Sequence, residues 1–138
     1  MSFDTIKAGL INRLRVLGYQ ESAYVDMENS PTSERGNTFI VRPMSGENDE
    51  NTSETLSALV YDIQKWKIEI AFEKSSEDQI TNSDQVQRQR EAIITDLDNP
   101  ANWSGYARIQ KFKTWDVQDK ASYYLLTIEL KIIDTIFY

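Results

Sequence analysis

Near the C-terminus five apolar residues alternate without a break: Tyr124, Leu126, Ile128, Leu130 and Ile132. A strand turns successive side chains to opposite faces, so this spacing commits all five to one side of a sheet. A second run, Trp66, Ile68, Ile70 and Phe72, has the same period, with Lys67, Glu69 and Ala71 between. Strands with one apolar face need a covering layer, and that requirement governs the rest of the chain.

The cover is legible in two helical patterns. Phe3, Ile6, Leu10, Leu14 and Leu17 recur at spacings of three and four, which predicts a helix over about 3–17. Ser2 suits its N-cap, and Asp4 sits where the helix dipole favours an anion. Arg13 and Arg15 suit the last turns, and Gly18 can take the left-handed conformation that ends a helix. Val86, Ile93, Ile94 and Leu97 predict a second helix over 83–97, stopped at Asn99-Pro100.

Two further strands are predicted, one over 38–42 ended by Pro43 and one over 107–117. Tyr24 to Met27 offers a short extra strand in the otherwise irregular stretch 19–37. Two irregularities are visible. Leu59, Tyr61 and Ile63 have the opposite parity to Trp66, so a bulge or bend is expected between Ile63 and Trp66. The spacing from Ile109 to Phe112 hints at another. Residues 44–55 and 73–82 are polar loops, and the arms 44–55 and 75–82 are expected to be mobile when free and ordered on assembly. The fold class expected is therefore α+β. It has an antiparallel sheet of about four strands, two helices packed on one face and long polar loops. Residues 1–138 form a single domain.

Composition narrows function more than it narrows fold. The chain has no Cys and no His, so thiolate chemistry, disulfides and the commonest general base and metal ligand are absent. Its five Gly residues form no phosphate-cradling loop. A net charge of −7 argues against broad adhesion to nucleic acid or anionic membranes. No apolar stretch has the length of a membrane span or of a signal peptide.

The remaining chemistry-bearing groups have ordinary readings. Asp96 and Asp98 form a D-x-D pair, read as a polar helix end with no functional ion. Glu47, Asp49 and Glu50 lack the spacing of a calcium loop and read as a solvated arm. Glu69 and Glu129 fall on polar strand parities, which places them at a solvent face. Arg108 to Trp115, with Lys111, Phe112 and Lys113, is the one stretch that mixes cations and aromatics as a base-stacking groove does, and it reads as an ordinary amphipathic strand. The C-terminus stays apolar through Ile136, Phe137 and Tyr138, and should dock on its own core or on another subunit.

The order of these segments resembles the tail terminator proteins of long-tailed bacteriophages. The residues that carry the likeness are FDTIKAGLINRL, TFIVRP, the acidic loop, WKIEIAF and YYLLTIELKII. It covers nearly the whole chain and rests on layout rather than an invariant motif. The resemblance implies a structural virion protein without catalysis, cofactor or metal. It implies a homo-oligomeric ring, usually a hexamer, assembled in the host cytoplasm and resident in the virion neck. The ring would end the tail tube, join it to the head connector and let DNA pass without specific binding. No single residue is carried over from that family; the residues themselves point to an interface at the acidic arm, Glu47, Asp49 and Glu50, and at the apolar terminus, Ile136, Phe137 and Tyr138. A neighbouring head–tail connector or neck protein is the alternative. So, from another class, is a small acidic immunity protein or DNA mimic.

Overall fold

The computed structural model describes residues 2–23, 36–44, 59–74, 79–103, 108–120 and 123–137. Helix α1 spans Ser2–Val16 and turns Ile6, Leu10 and Leu14 fully inward. It ends as the sequence suggests. Gly18 adopts φ 101°, Gly18 N–H donates to Arg15 C=O at 3.0 Å, and Tyr19 N–H donates to Leu14 C=O at 3.1 Å. This pair of bonds satisfies the last carbonyls and needs the left-handed residue that glycine supplies.

The chain then forms β1 (Gln20–Glu21), β2 (Thr38–Pro43) and β3 (Leu59–Glu73). Helix α2 (Gln79–Asp98), β4 (Arg108–Asp119) and β5 (Tyr123–Phe137) follow. The sheet order is β1-β2-β3-β5-β4. β3 and β5 pair antiparallel in one uninterrupted register, from Leu59 opposite Phe137 to Glu73 opposite Tyr123. β1 runs parallel to β2, with Gln20 opposite Thr38.

This architecture corrects the expected antiparallel sheet of about four strands with two helices on one face. The sheet is mixed, has five strands among the described residues, and curls as a half-barrel. A two-residue strand such as β1 is too short to show any period. The closing strands are also longer than alternation suggests, since pairing carries β5 to Phe137. α2 begins at Gln79, inside the stretch expected to be a polar loop. The short strand expected over 24–27 lies outside the described residues.

The principal core joins α1 and α2 to one parity of the strands: Phe39, Trp66, Ile68, Ile70, Leu126, Ile128 and Ile132. Trp66 is its largest fully buried side chain. A smaller buried cluster of Ile40, Ala71, Tyr123 and Leu125 occupies the other parity.

The expected bulge between Ile63 and Trp66 is absent. Gln64 simply takes the inward parity, opposite Ile132, and Trp66 Nε1–H donates to Gln64 Oε1 at 2.9 Å. A fully buried indole N–H needs an acceptor, so the polar residue is placed to satisfy it. The backbone register runs on through this stretch without a shift. The irregularity near Ile109 is real and double: the β4 register shifts between Ile109 and Lys111 and again between Phe112 and Thr114.

Beyond α2, Asn99 caps a 3-10 turn, Pro100–Asn102, by accepting from Ala101 N–H at 3.1 Å. The turn delivers Trp103 against Gly9 of α1, where an added Cβ would lie 2.8 Å from the ring. Trp103 Nε1–H donates to Leu97 C=O at 2.8 Å, which stitches the end of α2 to this plug.

Candidate functional interface

The groups singled out as chemistry are largely engaged by structure. Both Asp96 oxygens accept from the Arg13 guanidinium, at 2.9 and 2.8 Å. These hydrogen bonds raise the pKa of Arg13 and tie α1 to α2. The D-x-D pair is therefore half occupied by a cation of the chain itself. Among the described residues no group of three or more Asp or Glu could hold a metal ion.

Glu69 corrects its expected place. It is buried on the outer parity, with Arg42 Nη2 and Lys67 Nζ each 3.4 Å from Oε1. A buried carboxylate needs such partners, because desolvation penalises an isolated charge. Glu129 is half-buried and accepts from Thr114 Oγ1 at 3.3 Å.

The Arg108 to Trp115 stretch does not offer a row of free rings. Phe112 packs against the core, and the Arg90 guanidinium of α2 lies 4.0 Å above the Trp115 ring. That cation–π contact covers one ring face from within the chain.

A cleft of about 280 Å³ lies between the end of α1 and the first half of α2, lined by Tyr19, Asn37, Phe72, Glu73, Asn82 and Gln89 among others. Tyr19 O–H donates to Gln89 Oε1 at 2.6 Å. Burial pushes the Tyr19 phenol up to about 12, so it stays protonated at neutral pH and acts as a donor. Glu73 is the one carboxylate among the described lining residues of this cleft.

What distinguishes the molecule is the length of the β3–β5 ribbon. Among the described residues, β2 pairs as far as Pro43 opposite Trp66, and β4 as far as Arg108 opposite Ile133. The register of β3 with β5 continues for four further pairs, Asp62–Asp134 to Leu59–Phe137. The backbone of Ile136 and Phe137 is therefore paired to Val60 and Leu59 of the same chain. Tyr138, Glu47, Asp49 and Glu50, the other expected interface residues, lie outside the described residues. Of the expected set, the structure thus brings together only the backbones of Ile136 and Phe137, at the ribbon's end.

Sequence reasoning missed one feature of the outer sheet face. Lys65, Lys131 and Lys111 stand directly opposite one another across β3, β5 and β4. Only the register, which is a property of the folded sheet, aligns them. None of the described helices is long and apolar enough to cross a membrane. No protein-family model matches the sequence, and no curated protein is significantly similar to it.

Proposed function

We propose that the chain is a structural assembly protein, a tail terminator of a long-tailed phage whose copies close into a ring. On this reading the ring ends the tail tube, meets the head connector and lets DNA pass. Six copies is the number the family resemblance implies. It is not an enzyme, takes no cofactor, and belongs to the virion.

One observation carries the reading. Among the described residues, the β3–β5 ribbon pairs beyond β2 and β4 with an apolar sequence, Leu59-Val60-Tyr61-Asp62-Ile63 against Ile133-Asp134-Thr135-Ile136-Phe137. A two-stranded apolar ribbon is marginal alone in water and gains stability from a further packing partner. A neighbouring copy that covers it turns this liability into an interface. The acidic-blocker alternative fits less well, because that mechanism needs a dominantly acidic face. Here the outer face carries the lysine row instead.

Sedimentation velocity on the purified protein, alone and with tail-tube protein, tests the proposal. A ring-sized species in either condition is expected. A strict monomer at every concentration, also in the presence of tube protein, overturns it.

A further inference from the structure

The cleft between α1 and α2 has an apolar floor and a polar rim. Phe72 and Val86 are buried at its floor, whereas Asn37, Glu73, Gln85 and Gln89 are exposed at its rim. At about 280 Å³ it falls just below the roughly 300–1,000 Å³ of ordinary small-molecule sites, so it suits one side chain or a small metabolite.

Two left-handed residues shape its wall. Gly18 holds φ 101° at the end of α1, and Asn37 holds φ 54° at the start of β2. Asn37 is the one non-glycine residue with positive φ among the described residues. Its C=O accepts from Gln20 N–H at 3.0 Å, which ties the two turns together. Backbone geometry therefore sets this wall, and residues held in sparsely populated conformations recur where ligands are clamped.

The lining is one-sided in charge. It holds the Glu73 carboxylate, and no Lys or Arg is among the described lining residues. The carboxylate lies beside the Gly36–Asn37 turn, where a Cβ added to Gly36 would be 3.5 Å from Oε2. The adjoining cation is committed elsewhere: Lys74 Nζ pairs with Asp119, donates to Lys120 C=O at 2.6 Å and sits 4.8 Å from the centre of the Tyr124 ring. Among the described residues Glu73 makes no ion pair. Groups able to accept stand around it, the Asn37 and Gln85 amide carbonyls and the Tyr19 phenol oxygen, whose proton goes to Gln89 Oε1.

Such a lining asks for a positively charged donor on a short apolar stem. A guanidinium meets both demands. It is a planar fork of N–H donors with no acceptor, and its methylene stem can lie on Phe72 and Val86. We propose that this cleft binds a guanidinium group against Glu73, with Asn37 and Gln85 as further acceptors. The group belongs to an arginine side chain of a protein partner or to a free small guanidine. The site is independent of ring formation.

N-acetyl-arginine amide is the probe, read by the side-chain amide signals of Asn37, Gln85 and Gln89 in nitrogen–proton correlation spectra. These signals should shift saturably at millimolar probe. N-acetyl-citrulline amide has the same shape without the charge and should bind about tenfold more weakly, as loss of a charged hydrogen bond implies. Glu73→Gln should weaken the arginine probe by a similar factor. Asn37→Gly suits the left-handed backbone, so it should weaken binding without lowering the melting temperature. A tripeptide with arginine at its centre that binds more tightly than the amide assigns the site to a protein partner; one that binds no more tightly assigns it to a free guanidine. No saturable shift, equal binding of the citrulline probe, or an unchanged affinity in Glu73→Gln overturns the proposal. Tighter binding of a neutral methyl glycoside than of the arginine probe also overturns it, and would make the cleft a carbohydrate site.

Discussion

The two faces of the sheet are built from the same strands and obey different rules. On the helix side, Trp66, Ile68 and Ile70 of β3 and Leu126, Ile128 and Ile132 of β5 are completely buried. On the other side the same strands carry Lys67, Glu69, Thr127, Glu129 and Lys131, with an apolar cluster only around Ala71 and Leu125. The first face is held by close packing and tolerates no polar group without a partner, which is why Gln64 sits beside the Trp66 indole. The second is held by pairing of charges, as where Arg42 and Lys67 converge on Glu69.

The largest test of that contrast is a pair of neighbouring truncations. Ile128→Ala removes a fully buried side chain from the helix-covered face. It should cost about 2–5 kcal/mol, a large part of the roughly 5–15 kcal/mol that holds a domain together. Thr127→Ala, one residue away on the half-buried outer parity, should stay within about 0.5 kcal/mol. Urea denaturation of both variants measures the difference. Equal losses would mean that the outer face is packed as tightly as the inner one.

Much of the inner face was legible because it is periodic. Alternation over 124–132 and the three–four spacing of Ile6, Leu10 and Leu14 each state which side is buried, and both held. What escaped was anything set by partners distant in the chain. Parity alone put Glu69 in solvent, because Arg42 and Lys67 converge on it only once β2 pairs with β3. The change of apolar phase after Ile63 looked like a bulge because a sequence does not reveal that Trp66 needs Gln64. The parallel β1 left no pattern to read. The apolar terminus pointed to docking, and Ile136 and Phe137 do pair with Val60 and Leu59, whereas the lysine row was illegible because its members come from three separate strands.

A second test probes the cover rather than the sheet. Gly9→Ala places a Cβ 2.8 Å from the Trp103 ring, with ring atoms that are held by the bond to Leu97 C=O. Overpacking of this kind typically costs about 1–3 kcal/mol. The melting temperature should fall, although alanine is the better helix former. A gain in stability would show that Trp103 can swing aside and that the plug is loose.

Glu69→Gln tests the outer face. It keeps the shape and removes the charge that balances Arg42 and Lys67. Both cations are partly exposed and can recover water, so the expected loss is about 1–2 kcal/mol, below that of a fully buried pair. Added salt should shrink the gap between parent and variant. A variant as stable as the parent would make Glu69 a spectator.

The smallest effect is a titration at the rim where the two helices meet. The Tyr19 phenol is pushed from its ordinary value near 10 up to about 12 by burial. An acid whose folded pKa is raised binds its proton more tightly in the folded state. Its contribution is therefore fully present below about pH 10 and declines as pH rises from there through 12. The hydrogen bond to Gln89 Oε1 is made by the protonated form, so it is lost in the same window. Other groups titrate there too, and the comparison with Tyr19→Phe isolates this one. At neutral pH the variant should melt slightly lower, for want of a bond worth about 1 kcal/mol. Between about pH 10 and 12 the two melting temperatures should converge and then cross, because phenylalanine has no proton to lose. A constant offset across that range would place the phenol in water rather than in the wall of the cleft.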